Sequence, residues 1–441
     1  MFYSTRLVLV FTVRIVKTIN RYIIVEAFSY FIVSLFAFTG LILVARILTF
    51  TDLIVNKGVK IEQIGMVFLA IIPTFLEIAL PLSALLGVLM AFGRLSADSE
   101  IVVLRASGLS LFQLIKPVFI FAIFATITCY IVTSKFRPWG FRQLEQTFFE
   151  IARSKSTAGL DAGIFNKLGK IVLYSENINH QTGALAHTLI DDKREDERRQ
   201  IIFAERGVII PNEENRTITL ELYDGIIHEE YKGRYNLTKF EINHLSMSSD
   251  DIYNPDAKKR TSRIYKELAG EELKNYIDSL QTKMNEIKEK ASDRKLTSEE
   301  KYEINELQKI FLRSKIDEGR RVSMPFAAFL LALIAMPLGI QPPRMQKTWG
   351  VSISITLAVV IFATYYAIMS IGIALAEGGS WPPLLALWLP NVITAIFTIF
   401  LLKQMGTEKW QSIAEGIEAV LVPFIKKIKA KKQSNHKRVR A

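Results

Sequence analysis

The chain has 441 residues, 50% of them apolar, with 55 basic and 43 acidic side chains and a formal charge of +12. Its one cysteine, Cys129, excludes an intrachain disulfide framework and any cysteine-based zinc or iron–sulfur site. The five histidines are scattered without HExxH or related spacing, so the composition disfavours a metalloenzyme and implies no cofactor.

The apolar residues are clustered. Crossing hydrocarbon about 30 Å thick takes roughly 20 helical residues. Six stretches are read as spans: Ala27–Ala45, Gln63–Gly93, Pro117–Ser134, Val322–Pro343, Thr348–Ala376 and Gly378–Leu402. Lipid leaves backbone amides no partner outside the segment, so each is expected to be a helix. Arg6, Arg14, Lys17 and Arg21 precede the first acid, Glu26, and a run of eight basic residues lies between Lys426 and Arg440. Counting Lys and Arg in the flanks places residues 1–26, Arg94–Lys116, Arg344–Lys347 and residues 403–441 on the cytoplasmic side. Arg46–Glu62, Lys135–Arg321 and Glu377–Pro382 fall outside, in the periplasm of a bacterium. The first 26 residues do not read as a cleavable signal, because the apolar stretch Leu7–Val13 is short. With no aromatic beyond Phe424, the basic tail suits the headgroups of membrane lipids and gives no support for nucleic acid.

Within and beside the spans a few charges stand out. Arg46 sits at the outer end of the first span, where a planar guanidinium either anchors the helix or meets phosphate oxygens. Glu77 is the one ionisable residue deep in a span, and such a group faces a protein interior or a wet cavity. Lys135 and Arg137, with Lys57 and Lys60, lie at the level of Arg46, as a wider basic rim or as snorkelling flanks. In the loop Gly93–Ser110, Ser96 is placed to cap a short helix over about 96–108, with Asp98, Ser99 and Glu100 in its first turn and Gly108 at its close. Ile101, Val102, Val103 and Leu104 make it more apolar than a free connector needs, which fits an interfacial linker or a helix gripped by a soluble ATPase.

The segment 135–262 reads as an all-β domain, a sandwich or jelly roll. Alternation is clear in Lys170–Ser175, Gln200–Ala204, Thr217–Tyr223 and Tyr235–Ile242, with turn signals at Pro211-Asn212, Asp224-Gly225 and Lys232-Gly233. Ile171, Leu173, Ile202, Ile218, Leu220 and Leu222 are assigned to the inner face, and Thr219 and Glu221 to the outer one. Residues 263–321 switch to a helical period and read as a hairpin, with Leu273, Ile277, Leu280, Met284 and Ile287 on one stripe. Its second helix starts at Thr297 with Glu300 completing a capping box. A phosphate-loop pattern is missing: the nearest run, Gly163–Lys170, has the wrong spacing and is followed by Ile171. No GxSxG elbow is present either, so any energy is expected from a partner.

The loop Arg94-Leu-Ser-Ala-Asp-Ser-Glu-Ile-Val-Val-Leu-Arg-Ala-Ser-Gly-Leu-Ser110 resembles the coupling helix of the YjgP/YjgQ permeases, LptF and LptG. Arg21-Tyr22, the run from Pro73 through Pro81 to Met90, Arg320-Arg321-Val-Ser-Met-Pro-Phe, Met336-Pro-Leu-Gly-Ile and Pro382–Asn391 are similar to other parts of that family, in its order. The last of these leans toward the LptF branch. The resemblance implies three spans, an inserted periplasmic jelly roll and three more spans, in a heterodimer of LptF and LptG. It implies a cytoplasmic LptB ATPase dimer, a single-span LptC, a bridge built on LptA, and lipopolysaccharide as cargo. Carried over by motif, Glu100 with Asp98 and Arg105 would serve ATPase coupling. Arg46, with Lys135, Arg137 and Glu77, would face the lipid. A second basic residue that the family can carry three positions after Arg46 is Thr49 here. The hairpin Arg263–Arg321 is a departure from the family. The readings from other classes are a different ABC-type permease and a membrane enzyme, the latter lacking the paired carboxylates or metal cluster it would need.

Overall fold

A chain so divided between apolar runs and a β-rich middle should separate into helices and a sheet, and it does. The computed structural model describes residues 2–55, 61–158, 160–168, 170–179, 182–195, 198–212, 217–231, 234–248, 264–290, 297–341 and 351–405. The helices are α1 (Phe2–Val55), α2 (Ile61–Ala97), α3 (Glu100–Ala106), α4 (Ile115–Ile131), α5 (Arg137–Ala158), α6 (Gly270–Lys290), α7 (Ser298–Gly339), α8 (Val351–Glu377) and α9 (Pro383–Gln404). Between α5 and α6 lie six strands: β1 (Phe165–Leu168), β2 (Ile171–Asn179), β3 (Ala184–Glu195), β4 (Arg198–Asn212), β5 (Thr217–Tyr231) and β6 (Arg234–Ser248). Among the described residues, six helical segments are long and apolar enough to cross a membrane, three before the sheet and three after it. Close packing divides the chain into one unit built from residues up to 47, 72–137 and from 270 onward, and a second built from 48–71 and 138–269.

In the helical unit, α1 packs along one stripe, Ile23, Ala27 and Phe31, each no more than 2% exposed. Phe31 meets Phe121 of α4 edge-on at 5.6 Å. Polar glue joins the last three helices: Tyr365 Oη donates to Asn391 Oδ1 at 3.1 Å, and Asn391 Nδ2 donates to the Ser323 carbonyl at 3.2 Å. Several boundaries differ from the sequence reading: the first span lies within one helix, α1, that begins at Phe2, and residues 137–158, read as part of the all-β segment, are helix α5. The third span does not end near Ser134: a single π-helical turn, Val132–Phe136, carries α4 directly into α5. The second hairpin helix and the fourth span are one continuous helix, α7, 42 residues long. The charges before Val322 halt the hydropathy signal but not the helix. Its start is as expected, since Thr297 Oγ1 accepts from the Glu300 amide at 3.3 Å and Glu300 Oε2 accepts from the Thr297 amide at 2.9 Å.

The strands pair antiparallel in chain order as one six-stranded sheet. The inner-face assignment holds: Ile171, Leu173, Ile202, Ile218, Leu220 and Leu222 are all 1% exposed or less. Two strands, β1 and β3, were not read from the sequence, and Asp224-Gly225, read there as a turn, lies inside β5. That dipeptide belongs to a crease. Across the row Glu176, His187, Glu205, Asp224 and Glu241 the ladders skip one rung each and resume in the same register; the register shift between β3 and β4 lies elsewhere, between Asp192 and Glu195. His187 (φ 48°) and Asp224 (φ 53°) adopt left-handed backbone there. Across the row the alternation slips by one. On β3 the core residues are Leu185 before it and Thr188 and Ile190 after it, and on β4 they are Ile202 and Ala204, then Ile209. Residues from both sides of the crease join a single apolar cluster. The crease thus lets 15-residue strands fold a meander back over one core, as strand bends do at sandwich corners.

Candidate functional site

Two charge clusters organise the helical unit. The first is the corner where α2 turns into α3. Ser96 does not cap α3: it lies inside α2, 1% exposed, and its hydroxyl accepts from the Gln341 amide at 2.9 Å and donates to the Gln341 carbonyl at 3.1 Å. The residue before α3 is Ser99, in left-handed backbone (φ 60°) without a side-chain cap. The close is as expected. Gly108, at φ 87°, sends its amide to the Arg105 carbonyl at 3.0 Å, and the Leu109 amide reaches Leu104 at 3.1 Å.

On this short helix Ile101 is buried, whereas Val102 and Val103 are 45% and 65% exposed, with Arg105 and Asp98 exposed beside them. Glu100 is turned toward its own chain. Tyr22 Oη donates to Glu100 Oε1 at 3.0 Å, and Arg94 Nη2 stands 3.8 Å from the same oxygen. The Arg94 guanidinium also pairs with Glu26 at 2.9 Å and donates to Tyr22 Oη.

The second cluster is a chain of alternating charge: Arg320, Glu77, Arg137, Asp317, Arg321. Glu77 Oε1 lies 2.7 Å from Arg320 Nε, and its Oε2 lies 3.0 Å from Arg137 Nε. Arg137 Nη2 donates to Asp317 Oδ1, while Asp317 Oδ2 accepts from Arg321 Nη2 at 2.8 Å. Arg320 also reaches Tyr366 of α8 at 3.4 Å. Glu77, Arg137, Asp317 and Arg321 are 2–5% exposed. The π turn supplies the geometry. It delivers Arg137 at the first position of α5, and Thr133 within it donates to the Arg321 carbonyl at 3.1 Å. Single π turns inside α-helices are frequent at functional sites.

Of the sequence candidates, Glu77 and Arg137 are therefore brought together. Lys135 stays exposed on the π turn, and Arg46 lies in α1 with its side chain outside the described residues. Asp317, Arg320 and Arg321 were missed as members of a site, as were Tyr22, Glu26 and Arg94. A signal was present: a lone carboxylate in an apolar run calls for a cation, and Asp317 and Arg321 stand four apart on a helix. Among the described residues no group of acidic, His or Cys side chains is arranged to hold a metal.

Comparison with known proteins bears on this architecture. A family model described as lipopolysaccharide export system permease LptF/LptG matches residues 21–404. The chain is 22% identical over 338 residues to the lipopolysaccharide export system permease protein LptF of Escherichia coli K12, covering 75% of this chain and 79% of that one. To LptG of Haemophilus influenzae it is 26% identical over 175 residues, 38% and 47% of the two chains. An uncharacterized Rickettsia prowazekii protein is 20% identical over 345 residues, 78% and 88% of the two. With three membrane-length helices before an inserted antiparallel sheet in the chain, three after it, and a family match across almost its whole length, the chain belongs to the LptF/LptG family of lipopolysaccharide export permeases.

Proposed function

We propose that this chain is the LptF-type half of a permease heterodimer. Its partners would be a homologous LptG chain, a cytoplasmic LptB ATPase dimer, LptC, and an LptA bridge that carries lipopolysaccharide away from the inner membrane. The LptF assignment is supported by the longer match to that relative than to LptG. The single observation that carries the coupling step is α3 itself. A seven-residue helix is too short to be stable alone. Here it is fixed at both ends while two valines point away from the chain. Such an exposed apolar pair, with Phe112 at 56% exposure nearby and Asp98 and Arg105 at its rim, suits an apolar groove with a polar edge.

In this reading the termini and α3 are cytoplasmic and the sheet is periplasmic. Arg46 and the exposed Lys135 offer positive charge to lipid phosphates, and Glu77 and Arg137 belong to the buried charge chain of the helical unit. Replacing Val103 by Asp should reduce ATPase co-purification by about tenfold or more, the loss expected when an anchor of an interface is truncated or charged. Unchanged co-purification by Val103→Asp together with Arg105→Glu would remove α3 from the docking surface.

A further inference from the structure

We infer that Arg94 is a positioning residue that latches α3 to the first span α1, so that displacement of α3 is passed to α1. This rests on the docking role proposed for α3. Tyr22 and Glu26 are four apart and share one face of α1. The Arg94 guanidinium touches both, at 2.9 Å to Glu26 and by donation to Tyr22 Oη, and its carbon lies 5.9 Å from the Tyr22 ring centre. Tyr22 in turn holds Glu100, the first residue of α3, at 3.0 Å. Arg94 thus stands between two carboxylates, on α1 and α3, with the Tyr22 hydroxyl as the shared joint. Without the cation, Glu26 and Glu100 would lose the positive charge they share.

The rest of α3 leaves this latch undisturbed by docking. Its outward face is Val102 and Val103, while Ile101 and the Gly108 close hold it from behind. Helix α1, for its part, meets its own unit along the Ile23, Ala27 and Phe31 stripe, with Val25, Val33 and Phe36 at 55%, 67% and 74% exposure on its other sides. A helix gripped along one stripe is one that a pull at its inner end can shift.

The test uses the full-length chain, with its permease and ATPase partners, in lipid nanodiscs. Spin labels at Val33→Cys and Ala106→Cys report the α1 to α3 distance, since the native Cys129 is fully buried. Arg94→Gln should broaden that distance distribution and lower lipid released per ATP by about tenfold, a typical coupling free energy. Arg94→Lys, which keeps the charge, should retain most of both. Tyr22→Phe removes one hydroxyl without threatening the fold, and should broaden the distribution and lower the ratio by about threefold. A narrow, wild-type distribution with a wild-type ratio in Arg94→Gln and Tyr22→Phe would overturn the latch. Failure of the wild-type chain to hold the ATPase would sink the docking reading instead, and the distance measurement on the permease alone would still decide the latch.

Discussion

Glu77 sits in an apolar helix and is touched by two guanidinium groups, and that arrangement decides what its replacement does. The five-membered chain carries a net charge of +1, so neutralising either acid leaves arginines buried without compensation. Breaking one member of a buried pair typically costs about 3–5 kcal/mol, whereas replacing both partners by apolar groups is far less harmful. Glu77→Gln should therefore lower the melting temperature in detergent strongly, and Glu77→Leu combined with Arg137→Met should be milder than either single change. A strictly additive double mutant would show that the pair is not coupled. A gentler case lies in the sheet. Arg199 donates two hydrogen bonds to Asp191, at 2.9 and 3.0 Å, and together with Lys193 holds its carboxyl below the ordinary 3.8. A carboxylate with a depressed folded value stabilises the domain above its unfolded value and loses that contribution as pH falls through the folded one. Arg199→Gln should move the Asp191 titration, followed by carboxyl NMR, upward toward 3.8, with less stability to lose on acidification. At this scale the sequence was partly legible. Glu77 stood out as a charge in an apolar run, but its partners lie 60 and 243 positions away, and only the packing of α2, α5 and α7 shows which arginines they are.

Elements were legible where one period held without interruption, and illegible where the backbone changed hand. The Thr297 capping box and the Leu273 to Met284 stripe could be read directly because helical spacing continues through them. The crease defeats the same reasoning: at His187 and Asp224 the alternation slips, so β3 shows no clean period and Asp224-Gly225 reads as a turn. Ser96 failed as a cap for a similar reason, since α2 continues past the position where a cap was expected. The crease makes a sharp prediction at Gly225. A Cβ there would lie 2.3 Å from the Phe203 carbonyl oxygen and 2.3 Å from the Phe240 ring. The carbonyl cannot yield without breaking the sheet, so Gly225→Ala should destabilise the domain by about 1–3 kcal/mol or more, in the manner of an overpacked core. Asp224→Gly, by contrast, relieves a left-handed non-glycine residue, although it gives up the exposed 2.9 Å pair with Arg206. The two neighbouring changes should shift chemical denaturation midpoints in clearly different degrees, and equal losses would remove the crease as the cause.

For the whole molecule, the family fixes lipopolysaccharide export as the setting, and the question left to this chain is whether cargo passes through its own sheet. The inner face is closed. Leu173 and Leu220 are 0% and 1% exposed, and they belong to one continuous apolar cluster with residues from both sides of the crease. Acyl chains cannot share that space unless the core opens, and the row of missing rungs is where the ladder resists opening least. If this domain is a conduit, photo-crosslinkers at Leu173 and Leu220 should capture lipopolysaccharide only while ATP is being turned over, and crosslinkers at Thr219 and Glu221 on the opposite face should capture none. Lipid adducts at Leu173 without ATP would mean that the core is open at rest, against the packing seen here. Crosslinks from the inner positions to protein alone, with lipid adducts forming on the partner permease, would make this sheet a scaffold for the bridge: its apolar face would then be a core in the ordinary sense, and the lipid would travel through the other chain.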